Sequence, residues 1–410
     1  EIYRLRAQVL EQGLADPTQL DLPPAPALAR TRLRVGFLNA HLGPQTETYS
    51  TLPTFEALDR ARFEVVLFTQ GRTGSSLETY ARGRADRQIE LSGAVGAQVK
   101  RIREEDLDLL LIGTNVTAVT NQMALLALHR LARVQLLTNS SPVTSGMRHV
   151  DGYITGTLTS LPAEQAHFTE KLLFLDGPAH CFNYRVDATP PQVGFDRQQA
   201  GIAADAVVFV SGANFFKLIP ELQDTWARIL AAVPGARLLL HPFNPNWANR
   251  YPIKQFMREM RGTLARRGVR PEQLIISTDT LPGRADVKEL LRLGDVYLDS
   301  YPFAGVNSTV DPLELAIPPV CREADTFRSR MAGSLLRELR IEDLVVKSEE
   351  AYVDLAVRLG TDASFRAEKR RQIEAAMQRG PRFLDSAAYG REMGVLLERA
   401  FAELGAGRRA

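Results

Sequence analysis

The sequence predicts an α/β protein made of two doubly wound halves, each a parallel sheet covered by helices on both faces. Three observations carry this. From Leu33 onward, short apolar runs alternate with stretches of helical period, the rhythm of strand–helix–strand units whose strands are buried on both sides. The rhythm pauses at the proline-containing segment DATPPQVGFD (187–196) and then starts again. The length of 410 residues corresponds to two or three domains at roughly 150 residues each. That is enough for large cores that need no metal or disulfide staple.

Residues 1–14 read as a helix, with Ile2, Leu5, Val9 and Leu10 on a helical period and charges between them. The chain opens on Glu1 rather than methionine, as the downstream part of a longer protein would. DLPPAPALA (21–29) carries three prolines in nine residues and predicts an extended connector. In the first half, LRVGFLNA (33–40), FEVVLFT (63–69), LDLLLIG (107–113), VQLLTN (134–139), DGYITG (151–156) and KLLFL (171–175) read as five or six strands. Helices are expected at 55–61, 91–105 and 122–132. In the second half the strands are AVVFVSG (206–212), ARLLLH (236–241), QLIIST (273–278), DVYLDS (295–300) and PPVC (318–321). Helices are expected at 221–233, 253–267, 287–293 and from Asp311, and the tail from Ser329 should be helical with breaks near Gly360 and Pro381. The resulting division is 1–30 (helix and connector), 31–190, 191–380 and 381–410 (terminal helix). With the two halves facing across a cleft, a ligand belongs at the C-terminal strand ends, where helix N-termini point.

Composition excludes more than it assigns. Fifty Lys and Arg face 48 Asp and Glu, a net +2, so charge gives no reason to expect nucleic acid as a partner. The two cysteines, Cys181 and Cys321, form no CxxC or Cys/His cluster. They speak against a disulfide framework or zinc site and suit a reducing, cytoplasmic compartment as buried thiols. The longest apolar runs, 123–128 and 206–210, are too short to span a bilayer.

Two segments carry chemistry. In DVYLDSYPFAGVNSTVDPLELAIPPV (295–320), a strand ends at Ser300, a glycine-containing loop follows, and Asn307, Ser308 and Thr309 stand where a helix begins. Ser308 with Asp311 three residues on has a variant capping-box spacing. Free amides, the positive dipole end and two hydroxyls suit a phosphate; an ordinary capped helix fits the same letters. In SGANFFKLIPELQDTW (211–226), Lys217 sits in a strand-to-helix loop among aromatics, where it could neutralise a diphosphate as a point charge or simply be a solvated loop lysine. His129 and His167 read as surface residues, and the run Lys369, Arg370, Arg371 as a solvated helix face. His180 and His241 follow or end strands on the cleft side, and His149 beside Arg148 is open between structural and anion-facing roles.

Taken together, these segments resemble glycosyltransferase family 41, the catalytic region of protein O-GlcNAc transferases and its bacterial relatives, including cytoplasmic adhesin N-glucosyltransferases. Asn214, Lys217 and Trp226 fit the family spacing. VPGARLLL (233–240) and QLIIS (273–277) meet its next two strands. Gly294, Asp295, Val296, Leu298, Asp299, Ser300, Pro302, Gly305, Ser308, Asp311, Leu313 and Pro318 follow its most specific block, closed by Ser329, Arg330 and Ser334. In the first half, RVGFLNAHLGP (34–44), LARVQLLTNSSPVTSG (131–146), DGYITG, Pro162-Ala163-Glu164 and Glu170-Lys171-Leu172 meet family segments.

The resemblance implies a GT-B fold and an inverting, metal-independent transferase using a nucleotide-diphosphate sugar, a UDP-sugar first, as substrate rather than cofactor. Lys217 would contact the diphosphate and stabilise the leaving group. Asn307, Ser308 and Thr309 would hold the phosphates, Asp311 the ribose, and Leu281 the base, with Asn214 reaching the diphosphate or ribose. The acceptor would be a polypeptide (adhesin, flagellin or other) at Ser/Thr or Asn, with Thr144, Ser145, Gly146 and His180 on its side. The family's histidines are replaced here by Gln45, Tyr49, Asp286 and Val306, which makes His41 and Gln45 the candidates for the acceptor's proton and puts Asp286 beside the base. The helix at 1–14 would end an upstream helical-repeat array. Two other readings remain: a nucleotide-sugar-binding scaffold without catalysis, and a GT-B enzyme acting on a small glycan or sugar nucleotide.

Overall fold

The computed structural model describes residues 1–14, 20–21, 30–187, 189–243 and 250–405. The expected connector therefore lies outside the described residues beyond Asp21. The chain forms two compact units, Glu1–Ala188 with Arg382–Ala410, and Thr189–Pro381.

The first unit holds α1 (Ile2–Gln12), β1 (Leu33–Asn39), α2 (Thr46–Phe55), β2 (Phe63–Thr69), α3 (Ser76–Arg82), β3 (Arg87–Glu90), α4 (Val95–Arg103), β4 (Leu109–Ile112), α5 (Gln122–Ala127), β5 (Val134–Leu137), β6 (Gly152–Gly156) and β7 (Lys171–Leu175). The second holds β8 (Val208–Ser211), α6 (Pro220–Ala232), β9 (Arg237–Leu240), α7 (Ile253–Arg266), β10 (Leu274–Ile276), α8 (Arg284–Leu291), β11 (Val296–Leu298), α9 (Asn307–Glu314), β12 (Pro319–Arg322), α10 (Phe327–Glu338), β13 (Val345–Val346), α11 (Glu349–Thr361) and α12 (Ala363–Gln378). The last helix, α13 (Ser386–Gly405), belongs to the first unit.

Both sheets are parallel. The first is seven-stranded, ordered β3-β2-β1-β4-β5-β6-β7, and the second six-stranded, ordered β10-β9-β8-β11-β12-β13. The apolar runs become central strands: β4 and β5 are buried at every residue, as strands covered on both faces must be. The order reverses at β1/β4 in the first sheet and at β8/β11 in the second, and such switch points open a crevice at the carboxyl strand ends.

Several local expectations are corrected. Two strands were not anticipated. The first is β3, an edge strand with only Ile89 buried, and the second is β13, only two residues long. The helix expected at 55–61 ends at Phe55 instead of starting there: α2 runs over Thr46–Phe55 and carries Pro53 inside it. His129 is buried, its Nδ1 2.9 Å from the Leu125 carbonyl oxygen. Lys369 is also buried and pairs with Asp343, while Arg370 and Arg371 are exposed. Cys181 and Cys321 are buried free thiols.

The terminal helix α13 closes the first unit. Met393, Leu397 and Ala400 are buried in it, Gly390 lies against Ala57 and Gly394 against Phe63, and Tyr389 Oη donates to the Ala179 carbonyl oxygen at 3.0 Å. Trp226 on α6, fully buried, donates from Nε1 to Tyr352 Oη on α11 at 3.3 Å, so this residue of the family spacing serves the core. Among the described residues, no helix is long and apolar enough to cross a membrane.

Candidate functional site

In the second unit the switch point gathers the two chemical segments. The loop after β8 carries Asn214 and Lys217, and the loop after the neighbouring β11 runs from Asp299 into α9. Asn214 caps a short turn at 215–217: its Oδ1 accepts the Phe216 N–H at 3.2 Å while Nδ2 donates to Tyr251 Oη at 3.1 Å. Lys217 Nζ donates to the Ala304 carbonyl oxygen at 2.8 Å and lies 4.2 Å from the centre of the Phe303 ring. Burial lowers this ammonium to a pKa of about 8, against the opposing pull of Asp299.

Asp299 is almost fully buried. Its Oδ1 accepts the Gly305 N–H at 2.8 Å, and its Oδ2 has no hydrogen-bond partner among the described residues. Burial raises its pKa to about 6, although Lys217 and the Gly305 and Ser300 N–H groups oppose the rise. The sequence motif contained Asp299, but only the fold shows it and Lys217 on the two ends of one peptide, Ala304–Gly305; the readable signal was an acid at a strand's carboxyl end before a glycine loop.

α9 begins at Asn307, with Val306 as its cap and no side-chain capping bond. Ser308 is therefore inside the first turn, which corrects the capping-box reading. The Thr309 and Val310 N–H groups donate to the Val306 carbonyl oxygen, whereas those of Asn307 and Ser308 have no backbone partner among the described residues. They form the positive end of the helix. Thr309 is fully buried and its Oγ1 is unpartnered among the described residues. Asp311, also buried, contacts the Arg284 guanidinium at 2.7 Å, and Arg284 and Lys288 both reach Glu314. Burial raises Asp311 to about 6, opposed first by Arg284.

Two further expected residues make contacts of their own. Asp286 accepts N–H bonds from Gln192 (2.6 Å), Val193 (2.9 Å) and Gly283 (2.9 Å). Burial works against its charge, but these three donors prevail and hold its pKa below the usual carboxylate range. It ties the entry segment to the start of α8 through both of its oxygens. Leu281 is half-buried and packs against the core cluster that includes Val210 and Tyr297.

In the first unit the switch point brings His41 and Gln45 together, with the ring Nε2 3.2 Å from the Gln45 amide. The Gly43 N–H donates to Nδ1 at 3.3 Å. The Gln45 atom facing the ring is its amide nitrogen, Nε2. Glu47, not singled out in the sequence, joins the loops after β1 and β4 by accepting the Asn115 N–H at 3.0 Å. Burial raises its pKa, opposed by Asn115 and Thr114.

The residues assigned to the acceptor side make contacts within the first unit. Thr144 Oγ1 donates to Glu170 at 2.6 Å and the Ser145 N–H to the same carboxylate at 2.7 Å; Ser145 is fully buried. Gly146 has φ +70°, and a Cβ there would meet the Tyr3 backbone at 2.4 Å. α1 thus covers this turn, held also by Arg6 to the Val116 (3.1 Å) and Val119 (3.0 Å) carbonyl oxygens. Gly146→Ala should loosen residues 2–12, seen as faster hydrogen exchange there, with nucleotide binding unchanged. His180 is buried beside Phe182, and burial lowers its pKa to about 4, so the ring is neutral. His241 is buried too, and burial likewise lowers its pKa. Among the described residues no three His, Cys, Asp or Glu side chains gather as metal ligands.

Residues 189–393, half of the chain, match the sequence profile of Glycosyl transferase family 41. A probable UDP-N-acetylglucosamine--peptide N-acetylglucosaminyltransferase SPINDLY of Petunia hybrida is 27% identical over 283 residues, 68% of this chain and 28% of that protein. A probable enzyme of the same description, SEC of Arabidopsis thaliana, is 26% identical over 337 residues, covering 80% of this chain and 33% of that one. The chain thus spans about a third or less of the curated relatives it matches. In structure it is similar to a mutant of the Thermobaculum terrenum O-GlcNAc transferase, with a TM-score of 0.82 and 24% identity over 98% of this chain and 74% of that one.

Proposed function

The chain belongs to Glycosyl transferase family 41, and from that premise we propose that it transfers a sugar from a nucleoside diphosphate donor, a UDP-sugar first, to a protein side chain. The observation that supports this most is the second unit's switch point. There the Lys217 ammonium and the first amides of α9, which have no backbone partner among the described residues, follow neighbouring strands, with Gly305 close to both. A cation and a helix N-terminus are what a diphosphate needs.

The reaction is a single displacement with inversion. The acceptor hydroxyl or amide nitrogen bonds to the anomeric carbon as the bond from that carbon to the β-phosphate oxygen breaks, and the electron pair leaves with the diphosphate. Lys217 and the Asn307, Ser308 and Thr309 end of α9 stabilise that developing charge, which is the work a divalent metal does in other sites. Asp311, with Arg284, serves the ribose side and Leu281 the base. His41, oriented by Gln45, is the group for the acceptor's proton. Two buried thiols suit a reducing, cytoplasmic setting.

Calorimetry with UDP, GDP and CMP tests the donor site. Binding of a diphosphate but not of CMP is the expected result, and the absence of all binding would overturn the reading. Release of sugar from the bound donor to a peptide then tests transfer.

On α1, Ile2, Leu5 and Val9 remain 80%, 53% and 66% exposed. This stripe on one helical face suits a preceding helix of a repeat that recruits polypeptide acceptors. Replacing all three by serine should leave UDP affinity within about twofold, because surface changes away from a site cost little, while weakening protein-acceptor turnover in the full-length protein.

A further inference from the structure

We propose that Asp299 is a positioning residue of this site: through the Ala304–Gly305 peptide it holds the Lys217 ammonium in place, as its counter-charge, before an anionic ligand arrives. The proposal rests on the reading of Lys217 as the diphosphate's cation.

The geometry is specific. Lys217 Nζ holds the Ala304 carbonyl oxygen and Asp299 Oδ1 holds the Gly305 N–H, each at 2.8 Å. Those two groups are the opposite ends of one peptide bond. The side chains therefore grip the same planar unit from its two polar ends, and the loop cannot shift without disturbing both. Tyr352 on α11 anchors the aspartate further, donating to its backbone carbonyl oxygen at 2.8 Å. The unfilled Oδ2 is a cost for a purely structural acid, since a buried acceptor without a donor is destabilising. A charge held for Lys217 accounts for it.

The surroundings leave the lysine as the matching charge. Tyr297 on β11, Cys321 on β12 and Tyr352 all feel Asp299 and are themselves held protonated, mainly by burial. Asp311 on α9 has its own guanidinium in Arg284. Lys217 is the cation that pulls Asp299 down, and Asp299 the group that pulls Lys217 up. With the ammonium near 8 and the carboxyl near 6, both are charged around neutral pH. Without the aspartate, burial acts on the lysine unopposed and its charge is lost at lower pH.

The test is UDP affinity between pH 6.5 and 8.5 for the full chain and for Asp299→Asn, which keeps an acceptor for the Gly305 N–H. Above the lysine's pKa each bound UDP must bring a proton, so affinity falls by up to about tenfold per pH unit. A downward move of that bend by about one unit makes the wild-type-to-variant affinity ratio grow about sixfold across the range. In a Lys217→Arg background, where the cation never titrates, the ratio should stay flat. A purely structural aspartate gives a constant ratio in both backgrounds and overturns the proposal while the UDP site stands. No UDP binding by the wild type at any pH overturns the site reading as well. Coupling is reciprocal, so Lys217→Ala must raise the pH at which the Asp299 carboxylate titrates, read by isotope-edited infrared difference spectra. An unmoved titration overturns the proposal even if Asp299→Asn fails to fold.

Discussion

Lys217→Ala should weaken UDP binding at pH 7 by roughly 10- to 150-fold, the range of about 1.5–3 kcal/mol for a hydrogen bond to a charged group. Sugar transfer should fall further, by about 10²–10³ in rate at saturating donor, the usual cost of removing one preorganised electrostatic stabiliser. The split follows from where charge develops. The bound diphosphate already carries negative charge, but the bridging oxygen gains more as the glycosidic bond breaks, so the ammonium matters more in the transition state than in the complex. Calorimetry gives the first quantity and single-turnover kinetics the second. A loss of affinity with an unchanged rate at saturating donor would mean that the lysine only binds; no loss in either would remove it from the site. The effect should also shrink above pH 8, where the wild-type ammonium, lowered to about 8 by burial, begins to lose its proton.

Gly305→Ala should be nearly as damaging with a single added methyl group. Its Cβ would lie 2.4 Å from Ser308 Oγ, 2.7 Å from Asp299 Oδ1 and 2.8 Å from Thr309 Oγ1. Ser308 is half-buried and can rotate, but Asp299 and Thr309 are enclosed and cannot. The strain therefore passes to the loop and to the start of α9, displacing the amides proposed to receive phosphate. A denaturant melt should show a loss of about 1–3 kcal/mol, as for other overpacked sites. UDP affinity should drop by about tenfold or more, equivalent to 1.4 kcal/mol or above. A variant of normal stability and affinity would show that the methyl group is accommodated and that the cradle is wider than these distances allow.

The sequence made the second sheet and its switch point readable because the determinants there are local. Apolar runs such as 206–210 and a glycine loop leading into Asn307, Ser308 and Thr309 lie within a few residues of one another. Edge elements escaped notice for the same physical reason: β3 buries one residue in four and β13 has only two residues, so neither leaves an apolar signature. Charge misled at Lys369, whose partner Asp343 is distant in sequence; Asp286, put beside the base by the resemblance, gives one oxygen to backbone groups almost a hundred residues earlier and the other to Gly283. Gly146 illustrates the limit best. Its position in a family segment suggested a binding turn, yet what occupies the space beside it is the backbone of α1, more than a hundred residues away. Asp299 stood inside a quoted motif and acquired a role only once β11 lay beside β8.

The return of α13 to the first unit has a consequence for how the chain is made. The second unit is one uninterrupted stretch, Thr189–Pro381, but the first is not finished until residues 386–405 have been synthesised. During translation of the intervening segment, about 10–40 s at roughly 5–20 residues per second, the surface around Ala57 and Phe63 that receives Gly390 and Gly394 has no cover. The half of the protein that leaves the ribosome first is therefore the last to be completed. A nascent chain halted before α13 exposes an apolar seam for chaperones or for self-association, while its second unit already has its entire sequence.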